Sequence, residues 1–165
     1  MNRKSKGLLV CGLALASMAW AEAAGLCAAG ETAFFACQTS RGRHIALCGR
    51  LPEKELQYRF GLEHHIEFQF PEDKNLGMDE FLFAHYSRYQ TNRFEIRFTN
   101  RGTDYTLFDY DEEDGERRSG VRVATPDGRV RDLKCAGPLT NRLGELKEVL
   151  RCDPDNALNL MRDCP

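Results

Sequence analysis

Apolar and polar residues alternate along the middle of this 165-residue chain. Leu56-Gln57-Tyr58-Arg59-Phe60 alternates strictly, as do Ile66-Glu67-Phe68-Gln69-Phe70 and Phe94-Glu95-Ile96-Arg97-Phe98. A period of two, with aromatic and branched residues on the apolar phase, predicts strands with one buried and one wet face. Further strands are predicted at Ala33–Thr39, His44–Cys48, Phe81–Tyr89, Tyr105–Tyr110, Gly120–Ala124 and Arg129–Cys135. Phe81–Tyr89 is the densest in apolar residues, and a short helix after Met78-Asp79-Glu80 is its alternative. Turn signals separate the runs: Gly61, Pro71 with Glu72-Asp73, Asn75 to Gly77, and Asn100-Arg101-Gly102. Ser40-Arg41-Gly42-Arg43 and Pro126-Asp127-Gly128 read as hairpin loops.

Strands joined by such short turns must pair antiparallel, because parallel pairs need long crossovers. The expected fold is therefore mainly β, an antiparallel sandwich or open barrel. From Leu139 the spacing changes. Leu139, Leu143, Leu146, Val149 and Leu150 fall at helical intervals, Thr140 or Asn141 offers a cap, and Gly144 weakens the pattern only slightly. One C-terminal amphipathic helix closing the sheet is expected. No internal repeat or linker divides the chain.

The N-terminal stretch is of another kind. Arg3, Lys4 and Lys6 precede an uncharged, mostly apolar run from Leu8 to Ala21, which ends in the small-residue frame Ala21-Glu22-Ala23. These are the three regions of a secretory signal peptide, and the run is too short to span a bilayer as a helix. Residues 1–23 are read as a cleaved signal peptide and 24–165 as a single β-rich domain. Lipidation at Cys11 is disfavoured by Val10 before it. Cleavage removes Arg3, Lys4, Lys6 and Glu22, so the formal charge moves from −2 to −4. That balance argues against a nucleic-acid partner, and 42% hydrophobic residues argue against wholesale disorder. The seven cysteines become six on loss of Cys11: Cys27, Cys37, Cys48, Cys135, Cys152 and Cys164. An even count in an exported chain predicts disulfides. A two-residue turn at Gly42-Arg43 would set Cys37 opposite Cys48, Cys135–Cys152 would pin helix to sheet, and Cys27–Cys164 would tie the termini. The chain contains no Asn-x-Ser/Thr acceptor. A periplasmic or secreted protein without a transmembrane anchor is expected.

Candidate chemistry is thin. His64 and His65 are neighbours, so on a strand they point to opposite faces. His44 and His85 stand alone, and no Gly-x-Ser-x-Gly elbow surrounds Ser87. Cysteine spacing does not suit zinc. Asp109-Tyr110-Asp111-Glu112-Glu113-Asp114-Gly115-Glu116 resembles a calcium loop only superficially, since Asp114 stands where the sharp-turn glycine belongs and Gly120 where the bidentate glutamate belongs. No catalytic residue, metal or cofactor is assigned. The run reads better as a charged hairpin loop, partly neutralised by Arg117 and Arg118. Loops on a rigid β scaffold often carry recognition. Asp111, Glu112, Glu113, Asp114 and Glu116, with Arg59, Arg88, Arg93 and Arg97 read as exposed strand residues, are the candidate contacts for a protein partner.

Phe34-Phe35-Ala36-Cys37, Leu56 to Gly61, His85-Tyr86-Ser87-Arg88 and Cys152-Asp153-Pro154-Asp155 together resemble a group of small exported proteobacterial proteins, over roughly Phe34 to Leu160. The group has no assigned activity, so the resemblance carries no catalytic residues over. In format alone, a signal peptide, a compact β domain and disulfides, the chain is similar to periplasmic lysozyme inhibitors and toxin-immunity proteins. The leading expectation is a non-enzymatic periplasmic binding protein of the inhibitor or immunity type. One alternative is a small periplasmic hydrolase using His64 or His85 with a carboxylate. Another is an envelope structural or ligand-binding protein.

Overall fold

The computed structural model describes residues 25–113 and 115–159. The signal peptide assigned to residues 1–23, and the positions of Asp114 and Cys164, lie outside the described residues. Ten strands form one sheet: β1 (Thr32–Thr39), β2 (His44–Arg50), β3 (Glu55–Leu62), β4 (His65–Phe70), β5 (Leu82–Arg88), β6 (Thr91–Asn100), β7 (Thr103–Glu112), β8 (Arg118–Ala124), β9 (Val130–Asn141) and β10 (Arg151–Cys152). A single turn of helix, α1 (Gly77–Glu80), precedes β5. Each strand expected from alternation is present, and Phe81 is the extended residue that leads from α1 into β5.

The order across the sheet is β10-β5-β6-β7-β8-β9-β1-β2-β3-β4. All pairs are antiparallel except β10 with β5. Two meanders, β1–β4 and β5–β9, are joined through the long strand β9. Its first half pairs with β8 through Val130–Lys134, and its second half pairs with β1 from Cys135 to Asn141. Turn chemistry accounts for the hairpins. Arg101 and Gly102 both take positive φ, at 50° and 77°, the mirror-image turn that suits the twist of two joined strands.

The sheet curls into a half-barrel, and its concave face holds the core. Phe35, Ile45, Leu47, Leu56, Tyr58, Phe83, Phe94, Ile96, Leu107 and Val121 are all buried in one cluster. Aromatic rings close the curl. Phe70 stacks on Phe98 at 4.6 Å, Phe98 on Tyr105 at 4.8 Å and Phe68 on Tyr105 at 5.3 Å. These contacts bring β4, the last strand in the sheet order, over β6 and β7. Each offset pair adds about 0.5–1.5 kcal/mol beyond its burial.

The expected C-terminal helix does not form. Leu139, Thr140 and Asn141 instead pair with Cys37, Ala36 and Phe35 of β1, and Arg142 N–H extends the ladder to Phe34 C=O. The backbone groups of β1 need that partner. Only Leu143–Leu146 coils, as a 3-10 turn. Leu143, Leu146 and Leu150 are nevertheless buried, so the spacing identified core residues and mistook their backbone.

The disulfides differ from the expected pairing as well. Cys27 bonds Cys48, and Cys37 bonds Cys135. Neither Cys37–Cys48, Cys135–Cys152 nor Cys27–Cys164 is therefore present. The cause is the first hairpin. Its loop has three residues, Ser40 to Gly42, closed between Thr39 and Arg43, so Cys37 faces Ile45 and not Cys48. An odd shift of register also changes the face. Cys37 lies in the main core, whereas Cys48 lies with Leu26 and Ala46 on the other side of the sheet. Cys152 is also disulfide-bonded.

Candidate functional site

The most distinctive surface lies where two hairpins end side by side. β5 and β6 are joined by the two-residue turn Tyr89-Gln90, closed by the pair Arg88 and Thr91. Gln90 adopts φ 54°, and Tyr89 is 86% exposed. Next to it, β7 runs on to Glu112, opposite Thr91, and the loop to β8 follows. Arg88, Tyr89, Thr91, Glu112 and Glu113 line a shallow cleft of about 320 Å³ between the tips.

The root of the β7–β8 hairpin is held by Asp109. This residue shares the phase of Tyr105 and Leu107, so it points to the concave face, and it is 1% exposed. Arg117 donates to both of its oxygens at 2.8 and 2.7 Å, and the Ser119 hydroxyl donates at 2.5 Å. The Asn141 amide donates as well. Its two oxygens thus accept four hydrogen bonds, two of them from a guanidinium. The loop is thereby tied to β7, β8 and β9 at once. Sequence reading placed Asp109 at the head of a solvated loop. The structure makes it the anchor of that loop, a role visible only in its strand phase.

Around this root the charges divide into bound and unbound. Glu112 accepts from Arg93 at 2.9 Å and from Arg118 at 3.2 Å, and the same two guanidinium groups lie 5.7 and 5.5 Å from the centre of the Tyr110 ring. The Tyr110 hydroxyl donates to Glu95. Burial, and then that carboxylate, push its pKa up. Arg117 and Arg118 thus partly neutralise the acidic run, as its sequence suggested. Asp111, Glu113 and Glu116 are exposed and make no ion pair among the described residues. Arg88 is exposed too, its side chain donating to the Thr91 hydroxyl at 3.3 Å.

The remaining candidate arginines have structural work. Arg59, expected to be exposed, is 7% exposed. The segment before β1 crosses over it, so that Arg59 donates to Glu31 at 2.6 and 2.9 Å, to Leu26 C=O at 2.9 Å and to Gln57 at 2.9 Å. It is not available to a partner. Arg97 clamps the chain after β10 through a bidentate pair with Asp153, at 2.6 and 2.7 Å, and Asp153 is fully buried. Tyr89, by contrast, was read as the end of a strand. The polar stretch Gln90-Thr91-Asn92 between two alternating runs is the signal that marks it as a tip.

The histidines do not assemble a catalytic pair. His64 sits in the β3–β4 turn at φ 66° with its side chain 89% exposed, and among the described residues the acid it meets is Glu63 at 3.8 Å. That distance is beyond a hydrogen bond. His85 stacks on Phe94 at 4.3 Å, and its Nε2 is 2.8 Å from Asn92 Oδ1. Cys27, Glu31 and Cys48 lie close together. Both thiols are consumed by their disulfide and Glu31 by Arg59, so these three do not suit a metal ion. Among the described residues no helix is long and apolar enough to cross a membrane. Comparison with protein families, with characterised proteins and with solved structures finds no match for this chain.

Proposed function

We propose that this protein is a non-enzymatic binding protein of the periplasm, of the inhibitor or immunity type, and that it docks a protein partner through the paired hairpin tips. The observation that carries this reading is Tyr89, 86% exposed on a two-residue turn and lining one cleft with the exposed Glu113. Solvent gives a large aromatic ring no reason to protrude from so tight a turn. Tyrosine and arginine dominate binding hot spots, because they bring contact area with few rotors to freeze. Arg88 and Tyr89 offer both at one tip.

Glu113 lines the same cleft as that anchor, and with Asp111 and Glu116 on the neighbouring hairpin it adds negative charge, which favours a partner with a basic patch and speeds encounter. The Asp109–Arg117 tie keeps the neighbouring loop in place before binding, which lowers the entropy lost on association. The oxidised cysteines and the Leu8–Ala21 apolar run support an exported location. Capture from periplasmic extract tests the reading. The wild-type protein should recover a specific partner, and Tyr89→Ala should weaken it about thirtyfold or more, the lower bound for a hot spot. Recovery of no specific protein, or equal recovery by Tyr89→Ala, would sink it. The mass of the exported protein tests the location: a chain starting at Ala24 is expected.

A further inference from the structure

The alternation that buries one face of β5–β8 also sorts the charges of the hairpin tips. Asp111 shares the phase of Leu107 and Asp109 and belongs to the concave face, whereas Tyr110 and Glu112 belong to the convex one. A row of side chains crosses that convex face. Tyr86 of β5 stands opposite Arg93 of β6, Arg93 opposite Tyr110 of β7, and Tyr110 opposite Arg118 of β8. Cross-strand partners share a face and lie about 5 Å apart, so ring and guanidinium alternate over about 15 Å. Arg88, two residues after Tyr86, lies on the same face.

Positive charge exceeds negative along this row. Arg93 and Arg118 reach the same carboxylate oxygen, Glu112 Oε1, at 2.9 and 3.2 Å. Arg118 gives it one Nη only and is exposed, its side chain at 59%. Among the described residues its Nε and other Nη have no acceptor, and Arg88 donates only to the Thr91 hydroxyl. The ring between Arg93 and Arg118 is fixed. The Tyr110 hydroxyl donates to one oxygen of Glu95, and the Asn156 amide donates to the other at 2.6 Å. Both guanidinium groups rest against that ring, so their forks are oriented with little freedom left to lose. From this row we infer that the partner docked at the tips also presents carboxylate side chains, which Arg88, Arg93 and Arg118 hold on the convex face. The inference rests on the reading of the tips as a docking surface, and it adds a contact opposite in sign to the one the loop offers. Guanidinium forks take carboxylates bidentately. A uniformly basic partner would be repelled by the row, and a uniformly acidic one by the loop. Only a two-signed surface satisfies both, which is a device for specificity.

Nuclear magnetic resonance of the isotope-labelled, oxidised protein tests the row without the partner. An acetylated tetraglutamate peptide, added at low salt and about pH 6.5, where glutamate is ionised, should shift the Nε–H signals of Arg93 and Arg118 saturably. Arg118→Gln should weaken that binding about fivefold. A tetralysine peptide should leave the signals in place. Arg118 is exposed and Arg93 still holds Glu112, so Arg118→Gln should unfold at the wild-type temperature. In capture of the partner, Arg88→Glu combined with Arg118→Glu should weaken recovery about tenfold, whereas a partner offering only basic groups would bind that variant more tightly. No shift at about 20 mM peptide, or a shift indifferent to Arg118→Gln, would overturn the inference. Equal or tighter capture by the doubly reversed variant would overturn it too, while leaving the tips as the docking surface. Capture of no protein, with the arginine shifts intact, would sink the docking reading and keep the row as a carboxylate site.

Discussion

Glu31 shows how a single side chain decides what another can do. Its own side chain is 2% exposed, and that of its partner Arg59 is 8% exposed. Burial on its own would raise the Glu31 carboxyl, but the Arg59 guanidinium and the Ala28 N–H more than offset it, and the pKa is held below its ordinary 4.5. A carboxyl with a depressed folded pKa contributes stability that is fully present above the unfolded value and is lost as pH falls through the folded one. Glu31→Gln should therefore cost about 3 kcal/mol at neutral pH, the expected scale for breaking a buried pair. The gap to wild type should close as pH drops below 4.5. Urea midpoints across pH 3–7 would measure it, and a pH-independent gap would contradict the assignment. This pair was not legible in the sequence. Alternation places Arg59 on the polar phase of β3, and that much is correct. What covers that phase is the segment around Leu26 to Glu31, which has no periodicity and gives no sign of where it lies. Asp109 is the converse case. Its phase was readable from Tyr105 and Leu107, but the surrounding acids drew it into the loop.

At the scale of elements, period-two alternation located β3, β4 and β6, and the apolar runs between turn signals located the other long strands, β9 only as far as Cys135. It failed where two periods give similar patterns. Leu143, Leu146 and Leu150 satisfy a helix, yet they also satisfy a 3-10 turn followed by a hydrogen-bonded turn that leads into β10. The competing demand, β1's need for a ladder partner, comes from a strand about 100 residues earlier and leaves no local trace. Glycines test these assignments. Gly77 begins α1, and a Cβ there would lie 2.0 Å from the Leu56 carbonyl oxygen of β3. Backbone cannot yield as a side chain can, so Gly77→Ala should force α1 off β3 and cost about 2–3 kcal/mol. Gly144, in the 3-10 turn, is exposed, and its Cβ would meet only the Phe94 ring, at an ordinary 3.5 Å. Gly144→Ala should be neutral or stabilising by up to about 1 kcal/mol, since it restricts the unfolded chain. Thermal unfolding of the two variants should move in opposite directions or leave Gly144→Ala unshifted. A large loss at Gly144 would mean that the turn has been misplaced.

For the whole molecule, the question is what joins two meanders into one sheet. β9 does so with its backbone, and the Cys37–Cys135 bond does so covalently, at the place where β9 leaves β8 and meets β1. The cysteine count made disulfides legible, but the pairing depended on the length and position of the first hairpin loop, a register shift of three residues that no composition reveals. The two bonds close loops of very different size. Cys27 and Cys48 are 21 residues apart, and Cys37 and Cys135 are 98 apart. Chain-entropy arithmetic gives about 3 kcal/mol for the shorter and about 5 kcal/mol for the longer. The locations reinforce that order. Cys27–Cys48 fastens a covering segment to the outside of β2, whereas Cys37–Cys135 lies against the main core between the halves. Replacing Cys37 and Cys135 together by alanine should therefore lower the denaturation midpoint more than replacing Cys27 and Cys48. It should also uncouple the halves, so that fluorescence from the Tyr58–Tyr105 cluster and far-ultraviolet circular dichroism no longer change together. Loss of Cys27–Cys48 should keep one cooperative transition and chiefly expose Arg59 and Glu31. The opposite ranking would mean that the covering segment, and not the β1–β9 seam, is what holds the sheet in its curl.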